Sequence, residues 1–141
     1  MKVDHSRKRA HGPGYRVAVD VDGTLYAGPW TQADEFTGPP TTDDAIPFLQ
    51  RELAAGHEVI LHTCRLTPEY PWCTWPVDQY RDPAHVIAAL RAWLIHWGLS
   101  PADTERLHFW THAGKPSADE YLDDRAVRFE GVFPRRPLCS Q

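Results

Sequence analysis

The apolar run Val17-Ala18-Val19 breaks off into Asp20-Val21-Asp22-Gly23-Thr24. That junction constrains the fold more than any other stretch of the chain. A short, β-branched run bounded by turn signals reads as a buried parallel strand. It hands over to two carboxylates two residues apart, where a Gly-permitted turn begins. In open α/β sheets, strand ends are where sites are built. Two acids this close repel unless a cation or a shared proton intervenes, which points to a metal. The plainer reading is an Asp-rich turn, because Asp-Gly dipeptides are ordinary turn formers.

The rest of the chain alternates strand and helix signals. Residues 16–21 read as the first strand. Residues 26–40 hold Gly28, Pro29, Gly38, Pro39 and Pro40 and read as a loop or short hairpin. Residues 43–55 read as a helix capped by Asp43 or Asp44, with Pro47 in its first turn and Gly56 as its stop. Its apolar stripe is Ile46, Leu49 and Leu53. Residues 58–62 are a second strand, and the Pro- and aromatic-rich stretch 66–81 reads as irregular. Asp82 and Pro83 then open a clear helix that Gly98 closes. Val86, Ile87, Leu90, Trp93, Leu94 and Trp97 fall at helical spacing, which predicts both tryptophans in the core. A helical turn over 101–105, a third strand over 107–110, a short fourth over 120–122 and a fifth over 127–129 complete the pattern. The alternation predicts an α/β fold: a Rossmann-like parallel β-sheet flanked by helices with right-handed crossovers.

A chain of 141 residues suits one domain with a real core. The expected division is a basic, disordered tail over 1–14, a single domain over 15–133 and a short tail over 134–141. The net charge of −4 gives no global field favouring nucleic acid or membrane. Basic residues crowd both ends, at Lys2, Arg7, Lys8, Arg9, Arg135 and Arg136, and read as solvated tails. No apolar run approaches 18 residues, so no membrane span is expected. The charged N-terminus lacks the apolar core of a secretory signal. Cys64, Cys73 and Cys139 are odd in number and lack paired metal spacing, which suits a reducing compartment; the cytoplasm is the expected location.

Three further features follow the first acid pair, each where a strand should end. His62-Thr63-Cys64-Arg65 follows Val59-Ile60-Leu61; Gly114-Lys115-Pro116 comes next; Tyr121-Leu122-Asp123-Asp124 comes last. Acid pair, hydroxyl, lysine and second acid pair, in that order, resemble the haloacid dehalogenase-like (HAD) superfamily of phosphohydrolases. The resemblance covers roughly residues 15–131 and is most specific over Asp20 to Thr24. It implies Mg²⁺-dependent cleavage of a phosphate monoester through an aspartyl-phosphate. By that resemblance Asp20 is the nucleophile and Asp22 the general acid/base, whose backbone carbonyl also serves the metal. Asp123 would ligate the metal directly, and Asp124 directly or through water. Thr63 would hydrogen-bond the phosphoryl group, with Cys64 and Arg65 offering backbone amides. Lys115 would offset the negative charge, with Asp119 either orienting it or capping an exposed turn. Cys64 itself reads as a buried, inert thiol. His108 and His112 have i, i+4 spacing but span a strand and a loop, so they read as ordinary side chains rather than ligands.

Cap domains in this superfamily are inserted after the first motif or between the second and third. Here the first gap suits only a small flap and the second is filled by a loop, a core helix and a strand, so no large cap domain is expected. The resemblance then allows an open site, a macromolecular substrate, or closure by a partner subunit such as a second copy. Tyr26, Trp30 and Phe36 in the first gap, and Tyr70, Trp72, Trp75 and Tyr80 in the second, suit either base stacking or loop packing. If they stack, Tyr26, Trp30, Trp72 and Trp75 select a nucleotide or nucleic-acid end. Two rival classes remain: a phosphoacceptor signalling domain and a non-catalytic binding domain. A receiver's acid pair precedes its phosphorylated Asp, whereas here Asp123-Asp124 follows Lys115. The intact acids argue against a non-catalytic scaffold.

Overall fold

The computed structural model describes residues 9–66, 81–112 and 114–137. Four parallel strands form one sheet: β1 (Arg16–Asp20), β2 (Glu58–His62), β3 (His108–Phe109) and β4 (Glu120–Leu122). Their order is β3-β2-β1-β4. Helices α1 (Ala45–Ala54), α2 (Pro83–His96) and α3 (Pro101–Arg106) fill the connections, with a 3₁₀ turn at Cys64–Leu66 just after β2. The chain builds outward from β1 through β2 to β3, then returns to the other side of β1 for β4. The strand order therefore reverses beside β1, and the crevice at that reversal is where ligands bind in open α/β sheets.

The sheet forms where β-branched residues are sealed on both faces. Val17, Ala18 and Val19 of β1 and Val59, Ile60 and Leu61 of β2 are all buried. Val17, Val19, Val59 and Leu61 join one core with Leu49 and Leu53 of α1 and with Leu90, Trp93 and Leu94 of α2. Removing each such side chain from water stabilises the fold by roughly 1.5–3 kcal/mol. The apolar stripe expected for the first helix is the one buried: Ile46, Leu49 and Leu53. Asp44 stands at its N-cap without a side-chain capping bond, because its carboxylate pairs with Arg51 at 2.8 Å. In α2 the expected cap is made: the Asp82 carboxylate accepts from the Ala84 amide at 2.8 Å, with Pro83 beside it.

Three expectations are corrected. Trp93 is in the core, but Trp97 is 43% exposed. The helix ends at His96 and Trp97 is its C-cap, so the helical stripe runs on past the layer that could bury it. Residues 127–129 are not a strand: β4 is the edge of the sheet, and Val127 and Phe129 are exposed. Their alternation has the period of a half-covered strand, but among the described residues no neighbour pairs with it. Residues 9–14, expected as part of a free tail, are held down. The Arg9 guanidinium forks onto Asp119, the Gly14 amide bonds the Gly56 carbonyl at 3.1 Å, and His11 meets the Tyr15 ring edge-on.

Residues 26–40 form a compact flap rather than a second domain. It is pinned by single bridges from Tyr26 to Asp22 and to Pro40. Gly28 and Gly38 meet back to back at its neck. A Cβ added at Gly28 would lie 2.2 Å from Tyr26 Oη and 2.6 Å from Gly38 Cα. Gly28→Ala should therefore cost about 1–3 kcal/mol, the usual penalty for overpacking, measurable as a lower urea midpoint with an unchanged slope. A midpoint equal to wild type would mean the neck is loose.

Candidate active site

The site is built at the carboxyl end of β1. Val21 remains buried while the Thr24, Leu25 and Tyr26 amides all converge on its carbonyl. This tight turn requires Gly23 at φ +83°. It also requires that Gly23 carry no side chain, since a Cβ there would lie 2.4 Å from Asp124 Oδ2. The same turn puts Thr24 between the two acid pairs. Its hydroxyl is 3.4 Å from Asp20 Oδ2 and accepts from the Asp124 amide at 3.2 Å.

These contacts bring β1 and β4 together so that Asp20, Asp123 and Asp124 each offer a carboxylate oxygen within 4.8 Å of the others. Asp20 is half-buried, and Asp123 and Asp124 are exposed. Burial, then repulsion from Asp123, pushes the Asp20 carboxyl up to about 7. The Val21 amide opposes that rise, while Asp22 and Asp124 add to it. Three carboxylates converging with no ion pair among the described residues suit a hard divalent cation, which takes oxygen ligands. This donor set, together with the space that Gly23 leaves for Asp124, fits a metal.

Asp22 is placed differently. Its side chain turns away from the triad toward Arg65, whose Nη2 donates to Oδ1 at 2.7 Å and whose Nε reaches both oxygens at 3.1 Å. Thr63 was expected to face the phosphoryl group. It is buried instead, with its hydroxyl donating to Asp22 Oδ2 at 3.1 Å and accepting from the Arg65 amide at 3.2 Å. Cys64 was expected to be buried and is exposed, because the 3₁₀ turn faces Arg65 and Leu66 inward and leaves the residue before them outside.

Lys115 is exposed, its ammonium 3.8 Å above the centre of the Tyr121 ring. It lies close enough to His62 to help lower that imidazole's affinity for a proton, although burial is the larger cause. Asp119 does not orient Lys115. It accepts from the Arg9 guanidinium and from the Arg16 amide, which together hold its carboxyl down to about 2.

Of the aromatics proposed to select substrate, Tyr26 is in the core. Its hydroxyl donates to the Pro29 carbonyl and accepts from the Thr37 and Gly38 amides, so neither ring face is open for stacking. Trp30 is half-buried, with the Arg65 guanidinium 4.1 Å from its ring centre. Trp72 and Trp75 lie outside the described residues, as do Tyr70, Tyr80, Cys73 and Cys139.

The sequence reading missed the side chain of Arg65, assigning it only a backbone amide. No local signal marked it, because its side-chain partners lie 30 to 43 residues away along the chain. Among the described residues, no helix is long and apolar enough to cross a membrane. Comparison with family models, with curated proteins and with solved structures returns no match, so the reading of this chain rests on its own residues and geometry.

Proposed function

We propose that this chain is a Mg²⁺-dependent phosphohydrolase of the HAD-like kind, cleaving a phosphate monoester through an aspartyl-phosphate on Asp20. One observation carries the reading: Asp20, Asp123 and Asp124 converge within 4.8 Å at the point where the strand order reverses. The cysteine content suits work in a reducing compartment such as the cytoplasm.

Asp20 Oδ would attack phosphorus, forming the new P–O bond as the ester P–O bond breaks. Asp22, two residues on, would give a proton to the departing oxygen and then take one from the water that cleaves the acyl phosphate. Asp123 and Asp124, with Asp20, would hold the metal. Mg²⁺ bound there would offset the carboxylates' mutual repulsion and the charge of the phosphate, so that an anion can attack an anion. Lys115, exposed and 3.8 Å above the centre of the Tyr121 ring, would be drawn off that ring by a bound phosphate and offset its charge.

The test is phosphate release with Mg²⁺ and with excess chelator. The panel is 4-nitrophenyl phosphate, phosphorylated metabolites, nucleotides, and oligonucleotides phosphorylated at the 3′ or 5′ end. Metal-dependent release from any of them supports the reading; none from the whole panel ends it. Asp123→Asn should raise the Mg²⁺ concentration for half-maximal rate at least on the order of tenfold, the lower end of what losing even an outer partner of a metal costs. An unchanged metal dependence would remove Asp123 from the ligand set.

A further inference from the structure

Arg65 is the largest fully buried side chain of the described residues, with 0% exposure, and it is charged. A guanidinium withdrawn from water this completely needs full hydrogen bonding and a counter-charge. It has both, and its partners fall into two groups. On one side Nε and Nη2 fork onto the Asp22 carboxylate. On the other, Nη1 donates to the Gln32 and Glu35 carbonyls at 3.0 Å each and lies 3.4 Å from that of Ala33. The flap's own rings lie against it, their centres 4.1 Å (Trp30), 4.4 Å (Phe36) and 5.3 Å (Tyr26) from the guanidinium carbon. One side chain thus carries the inward end of the flap and the acid at the strand end.

The pair is asymmetric. Arg65 is sealed, whereas the Asp22 side chain is 34% exposed. Arg65 and Thr63 hold both carboxylate oxygens, and the side chain is nonetheless left partly open to solvent. Buried pairs are weak evidence for stability, and the exposed part of the Asp22 carboxylate stays accessible to a ligand. Holding a carboxylate with a planar fork is how an acid–base group is aimed.

We propose that Arg65 is a positioning residue that couples closure of the 26–40 flap to the orientation of Asp22. Arg65 touches no reacting atom. It sets where the proton-transferring oxygen of Asp22 stands, and does so only while the flap's carbonyls and rings grip its other end. The functional half of this proposal rests on Asp22 being the acid–base group of the phosphatase reading.

Arg65→Lys keeps the charge and loses the fork. With Mg²⁺, the variant should hydrolyse phenyl phosphate about 10²-fold more slowly than wild type, in kcat, the lower range of what a misplaced general acid costs. It should hydrolyse 4-nitrophenyl phosphate with less than about a tenfold loss, because that leaving group needs little protonation. In an Asp22→Asn background, Arg65→Lys should change the phenyl phosphate rate by no more than about twofold, since residues acting as one unit are not additive. Equal losses on both esters, or losses that multiply in the double variant, would overturn the positioning role.

Amide hydrogen exchange at Ala27, Thr37 and Gly38 supplies a readout independent of turnover, because these amides bond within the flap. Exchange there should speed up in both Arg65→Lys and Asp22→Asn relative to the core amides of β1. Asp22→Asn is nearly isosteric and serves alone if Arg65→Lys does not fold. Unchanged flap exchange in Asp22→Asn overturns the coupling. If wild type hydrolyses neither these esters nor any member of the panel above, the phosphatase reading fails, and the exchange experiment still decides the coupling.

Discussion

Asp20→Asn is expected to abolish turnover, lowering kcat by about 10⁴–10⁶-fold, the range seen when a covalent nucleophile is removed. The substitution is a clean test because it changes almost nothing else. The two side chains have the same size. The Thr24 hydroxyl and Val21 amide that meet Asp20 can meet an amide oxygen as well. The variant also withdraws one negative charge from a cluster in which Asp123, Asp22 and Asp124 all repel it. The metal-free variant should therefore melt no lower than metal-free wild type at pH 8. Dead enzyme with undiminished Tm assigns the loss to chemistry. Full turnover would remove Asp20 as nucleophile and return the junction to an Asp-rich turn.

How much of this was legible before the fold was known follows from the range of the interactions concerned. β2 and β4 are local matters, a β-branched or apolar run closed by a turn, and the sequence predicts them at residues 58–62 and 120–122, where they lie. The Asp82-Pro83 start of α2 is equally local, since the cap reaches only two residues on. Trp97 and residues 127–129 failed for the opposite reason. Periodicity says which side chains share a face but not whether another layer reaches that far, and the sheet ends at β4. The acid cluster was half legible. Order along the chain suggested that the two pairs belong together, but only the parallel pairing of β1 with β4 brings them to one end of the sheet. The resemblance gives Asp20 and Asp22 different roles, but the sequence does not show which partner each side chain meets. One points to the triad and the other is drawn off by Arg65, 43 residues away, a pairing with no local signature. Thr63 changes partner for the same reason: a hydroxyl expected to be free for a ligand is already engaged with Asp22 and the Arg65 amide.

The acid cluster makes a second large prediction, that divalent-metal affinity will climb steeply with pH and then level off near neutrality. Asp20 takes up a proton near 7 in the metal-free fold, against 3.8 for an unperturbed aspartate. A cation must displace that proton. Apparent Mg²⁺ affinity should therefore rise by on the order of 10²-fold between pH 5 and pH 8, with nearly all of the change below about 7.5. Stability without metal should run the other way. Between about pH 4 and 7 the folded protein holds a proton on Asp20 that the unfolded chain has released. With fewer protons bound unfolded than folded, stability falls as pH rises through this window. The Arg9–Asp119 clamp does not confuse the measurement, because Asp119 stays ionised down to about 2. His62 titrates nearer, below its usual range, and lies beside Asp123 and Lys115, so a control must separate it. Asp20→Asn does so: it removes the proton of interest and leaves His62 in place. Isothermal titration with Mg²⁺ at pH 5, 6, 7 and 8 in wild type and Asp20→Asn reads both affinities. Metal-free melts at the same pH values read the stability. A wild-type affinity that is flat across this range would mean that the three carboxylates do not crowd one another as the geometry requires. A slope that survives in Asp20→Asn would transfer the coupled proton to His62 and take Asp20 out of the metal site.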